Sequence, residues 1–159
     1  MKATTYWKRG RNGDSMVRVM ASGVFDLIHA GHISYLEQAK AMGDELVVVI
    51  ACDSTVRRKK HEPITSETMR ERVISSLKSV DMTIIGNDGD MFETIEKIRP
   101  DIIVLGFDQD FNEDELEDEL RMRGLNAEVR RAAIELSDDL LGTKYIIERI
   151  LKKFGADYQ

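Results

Sequence analysis

Gly23-Val24-Phe25-Asp26-Leu27-Ile28-His29-Ala30-Gly31-His32 holds two of the three histidines in this 159-residue chain. A short strand candidate, Val17 to Ala21, precedes it. Behind it Ile33, Leu36, Ala39 and Met42 recur at helical spacing until Gly43 closes the pattern. The stretch therefore reads as a strand-to-helix turn. Gly23 and Gly31 permit a tight bend and a close backbone approach to a ligand. His29 falls just before the helix and His32 in its first turn, so both rings can address one anion. A helix N-terminus presents unpaired N–H groups and the positive end of its dipole to phosphate. Imidazole adds a donor that can also carry charge.

The rest of the chain repeats this alternation. Leu46 to Ala51 is apolar throughout and rich in Val and Ile, the pattern of a strand covered on both faces. Met82 to Ile85 and Ile102 to Leu105 are further strands, and Ala127 to Ala132 is a fifth. Between them, Thr65 or Ser66 caps a helix through Arg70, Val73, Leu77 and Val80. A second helix runs from Met91 to Arg99 and stops at Pro100, and an acidic one from Glu113 to Arg123 stops at Gly124. Thr143 to Phe154 is a last helix, with Tyr145, Ile146, Ile150, Leu151 and Phe154 as its expected inner face. Strands alternating with helices predict an α/β fold, a Rossmann-like three-layer sandwich around a mostly parallel five-stranded sheet. Such sheets bind ligands beyond the carboxyl ends of their strands. Here those ends are Ser22 to Phe25, Cys52-Asp53, Gly86-Asn87 and Gly106 to Asp108.

Composition narrows the function. Residues 1–15 read as a flexible tail without the apolar core of a secretory signal, and 16–159 as one domain. No apolar run approaches the ~18 residues of a membrane span. The single cysteine, Cys52, excludes an internal disulfide and fits a cytoplasmic setting. A net charge of −6 speaks against nucleic-acid binding by the chain as a whole, although Arg57-Arg58-Lys59-Lys60 is a basic run. Arg57 to Thr65 otherwise reads as linker-like. The paired histidines could also start a zinc site, but no Cys, Asp or Glu completes a ligand set at the usual spacings, and the metal ligands stay unassigned. Neither a dinucleotide fingerprint nor a P-loop is present.

The opening stretch resembles the motif Gly-x-Phe-Asp-x-x-His-x-Gly-His of the cytidylyltransferase-like nucleotidyltransferases. It matches at Gly23, Phe25, Asp26, His29, Gly31 and His32. Within that superfamily the chain is most similar to the archaeal FAD synthases, relatives of the glycerol-3-phosphate cytidylyltransferases. Gly43 to Val49, Leu77 to Asp81 and Pro100 to Gly106 with Asp108-Gln109 carry this similarity.

The resemblance implies transfer of AMP from ATP to FMN with release of pyrophosphate. CTP with glycerol 3-phosphate, or a sugar phosphate with ATP, is the alternative pair, and a non-catalytic nucleotide-binding module is a second alternative. It implies that Val24 and Phe25 lie against the nucleotide and that His29, Ala30, Gly31 and His32 wrap its phosphates. His29 and His32 stabilise the attacked α-phosphate, and Asp26 orients the site. Asp108 meets the sugar or base, Arg70 reaches the phosphates or the acceptor, and Lys60 or a neighbour assists at the triphosphate. Thr143, the surviving hydroxyl of a family motif at the last helix, binds phosphate or caps that helix. A divalent cation, Mg²⁺ before others, is expected with the triphosphate, and a homodimer by analogy.

Overall fold

A computed structural model describes residues 16–59, 62–133 and 142–155. Five strands alternate with helices: β1 (Arg18–Gly23), α1 (Ala30–Ala41), β2 (Glu45–Ile50), α2 (Asp53–Lys59), α3 (Glu67–Ser75), β3 (Met82–Ile85), α4 (Met91–Ile98), β4 (Ile102–Leu105), α5 (Glu113–Met122), β5 (Glu128–Arg131) and α6 (Thr143–Phe154). The strands form one sheet in the order β3-β2-β1-β4-β5, every pair parallel. The expected architecture is therefore present, with the sheet wholly parallel.

Strand alternation splits the core into two layers. Val19, Ala21, Leu46, Val48, Ile50, Ile102 and Val104 face one side and pack with Leu36 and Ala39 of α1 and Ile74 of α3. Met20, Val47, Val49, Ile103 and Leu105 face the other and pack with Ile95 and Ile98 of α4 and Leu116 and Leu120 of α5. The chain changes faces between β3 and β4, so β1 and β4 lie side by side at the topological switch point.

The two ends of the sheet differ. At the amino end, acidic side chains tie the strands down. Asp44 accepts from the N–H of Val17, Asp101 from that of Arg18 and Asp81 from that of Leu46. The buried Arg18 guanidinium donates to Glu45 at 2.5 Å and to the Ile98 carbonyl at 2.7 Å. At the carboxyl end lie the β1–α1 turn and the turn after β4.

Several local readings need correction. Arg57, Arg58 and Lys59 belong to α2 and are not linker; the helix is short, and Val56 is its one buried residue. α3 ends at Ser75, and Leu77 and Val80 continue the packing from a turn. The expected inner face of α6 is not buried: Tyr145, Ile150, Leu151 and Phe154 are exposed and Ile146 is half-buried, so the helix adds no residue to the core. Ile33 is likewise exposed, leaving Leu36 and Ala39 as the buried contacts of α1. Arg99 takes a left-handed cap (φ 50°) directly before Pro100, which bars the α conformation there. Among the described residues no helix is long and apolar enough to cross a membrane.

Candidate nucleotidyl-transfer site

The motif occupies the carboxyl end of β1, at the switch point. Its backbone bends through Phe25, which has φ 54° although it is not glycine. That left-handed conformation is costly for an aromatic residue and persists only where the surroundings hold it. Holding begins with the ring. Phe25 is 3% exposed, with its ring folded back over Gly23. A Cβ on Gly23 would stand 2.9 Å from two ring carbons of Phe25. Gly23→Ala should therefore force the ring out, destabilise the domain by about 1–3 kcal/mol as overpacking does, and lower turnover. Thermal melting beside an activity assay checks both.

The ring of Phe25 meets His32 edge to face at 5.3 Å and lies parallel to Tyr35 at 6.4 Å. His32 in turn stacks on His29, with ring centroids 3.8 Å apart. The two histidines thus form a pair braced from below by an aromatic ring. His29 is the N-cap of α1 but makes no side-chain capping bond, whereas Ser66, Asp90 and Asn112 cap α3, α4 and α5 in the ordinary way. The first N–H groups of α1, on Ala30 and Gly31, have no partner within the helix and stay available to an anion. The Nδ1 atom of His29 is buried without a hydrogen-bond partner among the described residues. Burial pushes the His29 pKa below its usual value, against the opposing pull of the Asp108 charge. Burial therefore favours the neutral ring.

Asp108 lies exposed in the turn after β4, close enough to act on both His29 and Tyr35. The turn itself is fixed. Gln109 accepts from the Gly106 N–H at 2.9 Å and donates to the Ser22 carbonyl at 2.8 Å. From β5, Arg131 donates to the carbonyls of Gly106, Gln109 and Phe111. The Tyr35 hydroxyl bridges the ends of β1 and β4: it donates to the Val104 carbonyl at 2.7 Å and accepts from the Ser22 N–H at 3.2 Å. Burial raises its pKa far above the ordinary tyrosine value, so it stays protonated.

Asp26 and Arg70 face inward. The Asp26 carboxylate accepts from the N–H groups of Ile64 and Thr65, both at 2.8 Å, and from the Thr65 hydroxyl at 2.7 Å. Burial alone would raise its pKa; the three hydrogen bonds and the Arg70 charge hold it below the usual carboxylate range. Arg70, 1% exposed, donates to the carbonyls of Val24 at 2.7 Å, Ala51 at 2.8 Å and Thr65 at 3.1 Å, and pairs with Asp53 at 2.5 Å.

Elsewhere in the basic run, Arg57 pairs with Glu62, Arg58 with Asp88, and Lys59 is exposed at the end of α2. Lys60 lies outside the described residues. Thr143 is the first residue of α6, behind the N-cap Gly142. The structure thus gathers Val24 to His32, Arg70 and Asp108 around the switch point. Tyr35, Thr65, Asp53, Gln109 and Arg131 join them, and none of these five stands out in the sequence as a site residue. Tyr35 had a local signal, lying three residues after His32 on the same helical face, and Asp53 and Gln109 had one in their place at or just beyond strand ends.

A family model described as cytidylyltransferase-like matches residues 20–154. The chain belongs to the cytidylyltransferase-like family. It is 51% identical over 143 residues to an FAD synthase of Aciduliprofundum boonei, covering 90% of this chain and 96% of that one. It is 48% identical over 137 residues to an FAD synthase of Archaeoglobus fulgidus, covering 86% and 99%. Among solved structures, it resembles a Thermoplasma volcanium protein titled a lipopolysaccharide core biosynthesis protein. That match has a TM-score of 0.74 and 49% identity, over 75% of this chain and 98% of that one. A Francisella tularensis pantoate-β-alanine ligase, at 13% identity and TM-score 0.53, shares the fold.

Proposed function

We propose that the chain is an FMN adenylyltransferase, joining ATP and FMN to give FAD and pyrophosphate. What carries the reading is near-full-length similarity to FAD synthases together with a stacked histidine pair at an uncapped helix N-terminus. A phosphate oxygen of FMN attacks the α-phosphorus of ATP. The new O–P bond forms as the bond to the bridging oxygen of the β-phosphate breaks, and that oxygen leaves with pyrophosphate. Negative charge grows on the α-phosphate oxygens in the transition state. His29, His32 and the first N–H groups of α1 meet it there, and donors fixed in advance need no reorganisation. The protein forms no covalent intermediate, since positioning and charge stabilisation suffice for this chemistry.

Among the described residues no three His, Cys, Asp or Glu side chains gather where they could hold a metal ion. Mg²⁺ needs no such cluster, since one or two carboxylates with substrate phosphates and water commonly hold it. A divalent cation such as Mg²⁺ enters as part of the nucleotide substrate, bound by phosphate oxygens and water. Chelation by EDTA should therefore abolish turnover while leaving the melting temperature of the nucleotide-free protein unchanged.

The function is tested by pyrophosphate release with ATP or CTP crossed against FMN, glycerol 3-phosphate and a sugar phosphate. ATP with FMN should be the pair that turns over. Turnover of CTP with glycerol 3-phosphate in its place would move the chain to the other branch of its family.

A further inference from the structure

We propose that Arg70 is a positioning residue, setting the two histidines through the backbone of Val24 and the ring of Phe25 rather than binding substrate. The proposal rests on the β1–α1 turn being the transfer site, and it reassigns an arginine that the resemblance places on the phosphates or the acceptor. The Arg70 side chain has no exposed surface, and its Nε and both terminal nitrogens are engaged. Its partners come from separate segments: Val24 after β1, Ala51 and Asp53 after β2, and Thr65 before α3. A planar fork with donors in fixed directions can bridge these segments together, which a single ammonium cannot.

The tie acts on the most strained point of the motif. Val24 and Asp26 flank Phe25, whose φ is 54°. Arg70 holds the Val24 carbonyl on one side, and the Ile64-Thr65 segment holds the Asp26 carboxylate on the other. Thr65 belongs to both ties, because its carbonyl accepts from Arg70 while its N–H and hydroxyl donate to Asp26. With both flanks fixed, Phe25 is kept in its left-handed conformation and its ring stays under His32. His32 then aligns His29 by stacking. Arg70 reaches the histidines by this relay, with no hydrogen bond to either.

The experiment uses the full-length protein with Arg70→Lys, Phe25→Leu and the double variant. Arg70→Lys keeps the charge and loses the fork. Its kcat should fall about 10- to 10²-fold, the scale of small misplacements of catalytic groups. KM for ATP and for FMN should stay within about threefold, since substrate binding is not what the residue supplies. In the nucleotide-free protein the ring NMR signals of His29 and His32 should shift in both single variants. The kcat losses should fail to multiply in the double variant, because both substitutions break one relay.

A direct substrate contact would overturn the proposal. It would give a rise in KM of about tenfold with histidine signals unmoved, or losses that multiply in the double variant. Should Arg70→Lys not fold, Phe25→Leu alone decides. Unchanged histidine signals and unchanged kcat would then refute the relay. The NMR readout needs no acceptor, so a failure of FMN to react in the unaltered protein is a separate result.

Discussion

Replacing either histidine of the β1–α1 turn by alanine should lower FAD formation on the order of 10²-fold or more, the usual cost of removing one oriented donor from a developing negative charge. The loss should appear in kcat with KM for ATP changed far less, because the charge that the rings meet exists mainly in the transition state. The double variant should lose less than the product of the single losses. The rings stack at 3.8 Å and brace one another, so each removal already disturbs both. Initial-rate assays of pyrophosphate release check this, and near-normal turnover in both single variants would refute the mechanism.

The same pair has a pH signature. Burial depresses the pKa of His29 in the nucleotide-free protein, so its NMR titration should lie below the ordinary histidine value of 6.5. A bound phosphate favours the protonated ring and should move the titration upward. The sign for stability follows. Below pH about 6.5 the unfolded chain takes up the proton before the folded one does, so acidification through that window destabilises the nucleotide-free protein. Bound nucleotide opposes the loss.

Asp26→Ala should be the most damaging single change to stability near the site. It strands two backbone N–H groups and a hydroxyl that now donate to one carboxylate. An unsatisfied buried polar group costs about 1–3 kcal/mol, and partial access of water to Thr65 brings the total to about 3 kcal/mol. For a domain of this length that corresponds to a fall in melting temperature of roughly 6–12 °C. The effect is pH-dependent. Because the folded carboxyl titrates below the ordinary aspartate value of 3.8, its contribution is complete above that value and drains away as pH falls through the lower, folded pKa. The melting-temperature gap between the unaltered protein and Asp26→Ala should narrow on acidification below pH about 3.8. A gap that stays constant down to that range would mean that the carboxylate charge is not what the site uses.

How far these features could be read in advance depends on how local they are. The strands were legible because covered parallel strands leave unbroken apolar runs such as Leu46 to Ile50. Pro100 and Gly124 marked helix ends through their own backbone limits, the latter taking φ 73°. α2 escaped notice because one buried residue, Val56, makes no periodic pattern, and three consecutive basic residues look like a loop. α6 misled in the opposite direction, since its apolar residues have helical spacing but none is buried.

In the site, His29 and His32 could be found from spacing alone. The partners of Asp26 lie 38 and 39 residues away, and the carbonyls of Arg70 up to 46. Such roles depend on tertiary neighbours and leave no local trace. An arginine that reads as a phosphate ligand proves to be engaged by carbonyls, a distinction that only coordinates draw.

Arg131 gives the outermost strand a consequence beyond holding a turn. Among the described residues β5 is an edge strand, paired with β4 alone, and edges open more readily than the centre of a sheet. Yet its last residue grips the carbonyls on either side of Asp108, as well as that of Phe111. Fraying of that edge and loosening of the Asp108 turn are thus one event. A ligand that ordered the turn would fasten the rim of the sheet as well, so occupancy at the switch point would be felt as local stiffness two strands away.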